Sequence, residues 1–144
     1  MRLFSQDTKV EALKRVPLFE GFSRKELAQL ARLTEDLEVP AGKVLCKEGA
    51  AGREMFVLVE GEADVTAKGR RVATRRSGEF VGEIAVVEEI PRTATVTAKT
   101  PLRLFVLTRP AFRRLVDEHP GMERKVLRTI ARRLAELSQD PTLA

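Results

Sequence analysis

A glycine, a glutamate and an arginine lie close together in residues 78–96, the one stretch whose residue types predict a binding site. Gly82 lets the backbone approach a ligand or adopt a positive φ, and the apolar run after Glu83 is long enough for one helical turn, whose first N–H groups can bind an anion. Arg92 follows a turn at Pro91, and its planar guanidinium can hold a phosphate through two hydrogen bonds. Glu83 remains free to accept hydrogen bonds from hydroxyls. The pattern predicts a ligand with a phosphate next to a free hydroxyl, such as a ribose phosphate.

Glu83 and Arg92 have a second interpretation. A glutamate and an arginine in one turn can form a partly buried ion pair that only fixes the turn, and such a pair says little about ligand binding. From the two charges alone the ion pair is the commoner case, and the binding interpretation depends on whether the whole of residues 82–94 matches a known motif in its expected context.

Length and composition predict one domain without a membrane span. The chain has 144 residues, 43% of them hydrophobic and 33% charged, which is close to the commonest size of a single domain. No apolar run approaches the roughly 20 residues that cross a bilayer, and the N-terminus turns polar at once, unlike a signal peptide. We therefore expect a cytoplasmic protein with one core over residues 1–144.

The charge distribution argues against a nucleic-acid partner. The 26 basic and 21 acidic residues give a formal net charge of +5, but the two signs are mixed along most of the chain. Asparagine is absent and arginine is abundant, a composition typical of thermophilic proteins. We expect no direct contact with DNA or RNA and a thermophilic source.

Apolar residues at helical spacing predict an N-terminal helical bundle over about residues 9–34, interrupted at Pro17 and Gly21. Ser23 is a typical N-cap, and Glu26 completes a capping box for a helix that begins at Arg24. This bundle precedes the strands that must position the site.

Short apolar runs separated by glycines predict a closed or sandwiched antiparallel sheet over about residues 36–108. Glu60, Gly61 and Glu62 stand between two strong runs and predict a tight hairpin. The predicted strands are Val44–Cys46, Met55–Val59, Ala63–Ala67, Arg71–Thr74, Thr93–Ala98 and Leu102–Thr108.

Two helices are predicted after the strands, over about residues 110–138. In the longer one, apolar residues follow one another at intervals of 3, 4 and 3 and form a narrow stripe. The stripe is equally compatible with packing inside one subunit and with a homodimer seam. Its residues are Leu127, Ile130, Leu134 and Leu137.

The order of helices, glycine-punctuated strands, Gly-Glu-Ile-Ala turn, Pro-Arg-Thr-Ala strand and closing helices resembles the cyclic nucleotide-binding domain. This family includes bacterial catabolite-activator-type regulators and cyclic nucleotide-dependent kinases. The resemblance covers roughly residues 13–137, and residues 82–94 match the phosphate-binding cassette of the family without a gap. It implies a mainly β fold, an antiparallel jelly-roll barrel with an N-terminal helical bundle and two C-terminal helices.

The resemblance also implies roles for residues of the cassette. Glu83 would bind the ribose 2′-hydroxyl and Arg92 the cyclic phosphate, with Gly82 near the sugar. The amides of Ile84 and Ala85 would complete the phosphate cradle. Thr93 stands where some members contact guanine or the phosphate, although members that prefer cyclic AMP also carry threonine there. The implied ligand-binding set is Gly82, Glu83, Ile84, Ala85, Arg92, Thr93 and Ala94.

Members of this family usually close the site over the base with a residue of the last helix. No aromatic residue is available in that helix here, and the cassette also lacks the aromatic residue that commonly precedes its glycine. Val44, Leu58 and Val72 are candidates for an apolar wall of the site. The lid candidates are Ile130, Arg133, Leu134, Leu137 and Ser138.

Enzymatic functions are disfavoured by the shortage of chemically active side chains. The chain has one histidine, His119, and one cysteine, Cys46, whereas a metal-dependent jelly-roll enzyme usually needs several histidines around its metal. No serine lies in a nucleophile-elbow context. We expect no metal, no cofactor and no catalytic activity.

The sequence therefore predicts a stand-alone sensor or regulatory module that binds cyclic AMP or cyclic GMP and repositions its C-terminal helices to signal to a downstream protein. The alternative is a ligand-independent dimerisation or partner-binding scaffold with the same fold. A DNA-binding regulator is a weaker third choice, since only residues 138–144 follow the long helix, too few for a helix-turn-helix motif.

Overall fold

A computed structural model describes residues 4–137 of the chain. Helices occupy both ends of this range and strands its middle. The helices are α1 (Gln6–Lys14), α2 (Arg24–Leu33), α3 (Arg109–Glu118) and α4 (Pro120–Leu137), with a first 3₁₀ turn at Pro17–Phe19 and a second at Glu83–Val86. The strands are β1 (Glu35–Val39), β2 (Val44–Cys46), β3 (Ala51–Gly52), β4 (Glu54–Glu60), β5 (Ala63–Ala67), β6 (Arg70–Arg75), β7 (Phe80–Val81), β8 (Ile90–Pro91), β9 (Thr95–Ala98) and β10 (Leu102–Thr108).

The start of α2 confirms the predicted capping box. The Glu26 N–H donates to the Ser23 hydroxyl oxygen at 3.1 Å, and the Ser23 N–H donates to Oε1 of Glu26 at 2.8 Å. Two N–H groups that would otherwise lack a partner at the helix start are thereby satisfied.

The strands form two four-stranded antiparallel sheets and a small ribbon, which confirms the mainly β fold with flanking helices. One sheet has the order β1-β10-β4-β7, the other β2-β9-β5-β6, and β3 pairs with β8. Among the described residues the edge strands of the two sheets do not pair with each other, so the sheets face one another as in a jelly roll without closing into a continuous hydrogen-bonded barrel.

The central strands β4 and β10 are buried on both faces because they separate two hydrophobic cores. On β4, Met55 and Val57 pack with the helices, whereas Phe56 and Leu58 point into the core between the sheets. Strand β10 alternates in the same way. A strand buried on both faces shows a continuous apolar run in the sequence, as residues 55–59 of β4 and 104–107 of β10 do.

The hairpin predicted at Gly61 is wrong, because the chain there passes from one sheet to the other. Strand β4 pairs with β10 and β7, whereas β5 pairs with β6 and β9. Gly61 has a φ of +99°, and a Cβ atom at this position would collide with the carbonyl oxygen of Pro101. The glycine is required by this crossing rather than by a hairpin.

An ion pair joins α1 to the edge of the first sheet. Nζ of Lys9 lies 2.6 Å from Oδ1 of Asp36 in β1, and both side chains are buried. The Phe4 N–H donates to the other oxygen of Asp36 at 3.1 Å. The sequence pattern does not predict β1, because an acidic residue such as Asp36 is not expected in a buried position of a strand.

Helix α4 packs against the N-terminal helices. Nζ of Lys125 lies 2.6 Å from Oε1 of Glu26, and Arg132 pairs with Glu20 beside the first 3₁₀ turn. Burial alone would raise the pKa of Glu26, but the hydrogen bonds from Lys125 and Ser23 outweigh it and hold that pKa below its ordinary value. These contacts fix the orientation of α4 relative to the N-terminal helices.

The apolar stripe of α4 is only partly covered. Ile130 packs against the helical core, whereas Leu127 and Leu134 are 54% and 66% exposed. The side chain of Leu137 is outside the described part of the structure. In residues 4–137 no helix combines the length and the apolar character that crossing a membrane requires.

Candidate functional site

The backbone of Arg92 is fixed by the ribbon of β3 and β8. Ala51 and Gly52 pair with Pro91 and Ile90, and this pairing continues one residue further along the chain. The Arg92 N–H donates to the Ala50 carbonyl at 2.8 Å, and its own carbonyl accepts from the Gly49 N–H at 2.8 Å. The arginine therefore leaves the turn in one defined direction.

The side chain of Arg92 is almost buried, with 8% of its surface exposed. Its Nη2 donates to the Glu54 carbonyl oxygen at 2.8 Å and lies 3.4 Å from the Glu54 carboxylate. Within the described residues, Nε and Nη1 of Arg92 donate no hydrogen bond. A buried guanidinium with unused donors favours an anion as its further partner.

Two glycines make room for this guanidinium. A Cβ atom at Gly52 would lie 2.7 Å from Nε of Arg92, and one at Gly82 would lie 2.5 Å from Nη1. Gly82 also has a φ of +77°, which residues with a side chain rarely adopt. The predicted close backbone approach at Gly82 is therefore present, and in this structure it is made to Arg92.

Arg92 lines a cavity of about 450 Å³ between the two sheets. One part of the wall is apolar and another carries charges of both signs. Burial raises the pKa of the Cys46 thiol in this wall, and the charge of Arg92 offsets only part of that rise. The lining residues are Cys46, Val65, Arg75, Gly78, Glu79, Phe80, Val81, Gly82, Glu83, Arg92, Thr93, Ala94 and Val96.

Glu83 lies in the cavity wall at the start of the second 3₁₀ turn, where the sequence predicted one helical turn. The alternative in which Glu83 and Arg92 form a structural ion pair is wrong for the described residues, because the carboxylate near Arg92 belongs to Glu54. In residues 4–137 Glu83 has no ion-pair or hydrogen-bond partner from a side chain. Its carboxylate is available to accept hydrogen bonds in the cavity.

The other residues of the predicted set are divided among the cavity, the protein interior and the exposed surface. Thr93 and Ala94 line the cavity with Gly82, Glu83 and Arg92, whereas Ile84 and Ala85 do not. Ile84 is exposed and Ala85 is buried. The Ala85 N–H donates to the Gly82 carbonyl at 3.0 Å, so in this structure that amide closes the turn.

The predicted apolar wall is wrong. Val44 and Val72 are 47% and 60% exposed, and Leu58 is buried between the sheets without lining the cavity. Val72 lies on the other face of its strand from Ala73, which pairs with Val65 of the wall. In β2 the pairing with β9 is irregular between Val44 and Cys46, so these two residues differ in burial although a regular strand would place both on one face. The wall is instead formed by Cys46, Val65, Val81 and Val96.

None of the described side chains of α4 lines this cavity. Ile130 lies against the helical core and Leu134 is exposed. Arg133 and Leu137 belong to α4, but their side chains are not described, and Ser138 lies outside the described residues. The helix predicted to cover the site is held against the N-terminal helices in this structure.

Comparison with known proteins agrees with this geometry. Residues 36–119 match the family model of the cyclic nucleotide-binding domain. The chain is 39% identical over 106 residues to a cAMP-dependent protein kinase regulatory subunit of Yarrowia lipolytica, covering 72% of the chain and 28% of the relative. It is 30% identical over 114 residues to a cGMP-dependent protein kinase of Caenorhabditis briggsae, covering 79% of the chain and 15% of the kinase.

A solved structure gives the same result for the fold. The N-terminal domain of a transcriptional regulator from Streptomyces coelicolor superposes with a TM-score of 0.78 at 29% identity, covering 87% of this chain and 93% of that domain. The chain spans less than a third of the length of the regulatory subunit and of the cGMP-dependent kinase.

Proposed function

The chain belongs to the cyclic nucleotide-binding domain family, and from this premise we propose that it binds cyclic AMP or cyclic GMP in the cavity beside Arg92. The observation that carries the proposal is the guanidinium of Arg92, which is nearly buried between Gly52 and Gly82 and keeps donors unused at the cavity wall. A monoanionic phosphate satisfies those donors and the charge together.

Two further groups complete the proposed binding mode. Glu83 accepts hydrogen bonds from the ribose 2′-hydroxyl, since its carboxylate lies in the same wall without a side-chain partner among the described residues. Thr93 and Ala94 continue the wall beside Arg92, and the apolar row of Cys46, Val65 and Val96 receives the base. The role is binding and regulatory rather than catalytic.

Calorimetric titration of the purified protein with each nucleotide tests the proposal. We expect saturable binding of at least one of them, and we expect Glu83→Ala to weaken it by about 1–3 kcal/mol, the usual cost of leaving a polar group without its partner. Glu88→Ala is the matched control, because Glu88 is an exposed acid of the same segment outside the cavity. Equal affinities of the Glu83→Ala and wild-type proteins would contradict the role of Glu83.

We further propose that the nucleotide repositions the C-terminal helices. Val86 of the second 3₁₀ turn belongs to the helical core, together with Phe112 of α3 and Val126 of α4. A shift of the turn would therefore change the packing of this core around α3 and α4. A ligand can move these helices only if it binds one arrangement better than the other. Hydrogen exchange should therefore change in amides of α4 when nucleotide is added. Changes confined to residues 78–96 would contradict the proposal.

The alternative is a ligand-independent dimerisation or partner-binding scaffold, for which the exposed Leu127 and Leu134 of α4 supply a surface. This alternative replaces the sensor if neither cyclic nucleotide binds at high concentration. The downstream protein, the homodimer, the single-domain organisation and the cytoplasmic location all stay predictions.

A further inference from the structure

Arg75 is a second arginine in the cavity wall, and it lies outside the cassette. It ends β6, where it pairs in register with Ala63 of β5. Residues directly opposite in an antiparallel pair share one face of the sheet, and Ala63 is fully buried in the core between the sheets. Arg75 therefore extends from the inner face of the edge strand β6 and lines the cavity, while 39% of its side chain stays exposed.

The guanidinium of Arg75 has no satisfied donor in the described part of the chain. The nearest carboxylate oxygen, Oε2 of Glu79, is 3.9 Å from Nη1, beyond hydrogen-bond distance. The other oxygen of Glu79 accepts from the Arg76 N–H at 2.7 Å, so the glutamate is committed to the turn after β6. Arg75 therefore has a long ion pair with Glu79 but no hydrogen bond to it, and its N–H donors can bind a molecule in the cavity in exchange for solvent.

The strand register places Arg75 and Arg92 at opposite ends of the cavity wall. Val96 pairs with Val65, which pairs with Ala73, and this apolar row crosses three strands. The next row on the same face is two residues, roughly 7 Å, farther along β9 in the direction away from Arg92. Its members are Ala98, Ala63 and Arg75.

A cyclic nucleotide bound as proposed above would extend from Arg92 across the Val96 row toward Arg75. Its phosphate lies at Arg92 and its ribose at Glu83, so the base extends over the Val96 row, with its far edge toward Arg75. The fork of an arginine matches two adjacent acceptors. Guanine presents such a pair in N7 and O6, whereas adenine presents the acceptor N7 next to the donor N6–H₂.

We infer that Arg75 is a specificity-determining residue that binds the N7 and O6 edge of guanine and gives this site a preference for cyclic GMP over cyclic AMP. This inference rests on the proposed function. A bidentate contact between arginine and guanine corresponds to a preference of roughly 5- to 150-fold in Kd.

The test is calorimetric titration of the full chain and its variants with cyclic GMP, cyclic AMP and cyclic IMP. Cyclic IMP keeps N7 and O6 but lacks the 2-amino group, so it should bind like cyclic GMP. Arg75→Ala should lose the preference by weakening cyclic GMP and cyclic IMP while leaving cyclic AMP within about twofold. Arg76→Ala is the matched control, because its side chain pairs with Glu62 and lies outside the cavity.

The outcomes separate this inference from the function on which it rests. If no cyclic nucleotide binds the wild-type chain, both are wrong. If the nucleotides bind but cyclic AMP is bound as tightly as cyclic GMP, or Arg75→Ala leaves their ratio unchanged, the inference about Arg75 is wrong and the binding function stands. Thermal unfolding followed by circular dichroism verifies that each variant is folded.

Discussion

An Arg92→Ala variant is expected to bind cyclic nucleotides about 2–5 kcal/mol more weakly than the wild-type chain, which is roughly 30-fold to several thousand-fold in Kd. The phosphate leaves water when it enters the cavity, and its charge is then compensated by a guanidinium that is itself nearly buried. Without the arginine the phosphate charge would be desolvated and unpaired. Calorimetric titration with both nucleotides measures the loss.

Two further variants show whether charge or shape is responsible. Arg92→Lys keeps the charge but lacks the planar fork, so it should restore only part of the affinity. Arg53→Ala should bind like the wild-type chain, because Arg53 is an exposed neighbour of β3 that pairs with Glu89. If a folded Arg92→Ala protein bound within about threefold of wild type, Arg92 would not hold the phosphate and the binding mode would be wrong.

The cassette could be located from the sequence because its parts are contiguous. Gly82, Glu83 and Arg92 lie within a short segment, and local turn chemistry is enough to predict a phosphate site there. The environment of Arg92 could not be predicted in the same way. Gly52 and Glu54, which enclose and orient the guanidinium, are about 40 residues away along the chain.

Which side chains line the opposite wall of the cavity depends on how the strands pair with one another. Val44 and Cys46 both belong to β2 and are both apolar, yet Cys46 is buried and Val44 is exposed. Residues two apart share a face in a regular strand, but the pairing of β2 with β9 is irregular between these two residues, and the sequence does not show such an irregularity. Arg75 could not be identified from the sequence for a related reason, because its place in the wall follows from its register with Ala63.

The class of the fold was predictable because apolar periodicity and capping are local signals, whereas the pairing of the strands is not. The runs at β4 and β10 have the correct type and nearly the correct bounds. The connection at Gly61 resembles a hairpin locally, but its two strands find their partners elsewhere. Strand β1 is rich in acidic residues, and it forms a strand because β10 pairs with it and Lys9 neutralises its buried carboxylate.

That carboxylate leads to the largest expected effect on stability. Lys9→Met is expected to lower the free energy of unfolding by about 3–5 kcal/mol, because it removes the Lys9 ammonium from a buried ion pair with Asp36. The double variant Lys9→Met/Asp36→Leu removes both charges and should recover most of the loss, apart from the hydrogen bond that Asp36 accepts from the Phe4 N–H.

Urea unfolding followed by far-ultraviolet circular dichroism measures both variants, since the chain has no tryptophan or tyrosine to report by fluorescence. A matched control is Arg24→Met, which removes a cation from an ion pair with Glu11 on the surface and should cost at most about 1 kcal/mol. If Lys9→Met cost no more than this control, the pair would be solvated rather than buried. The Lys9–Asp36 pair would then contribute little to the attachment of α1 to β1.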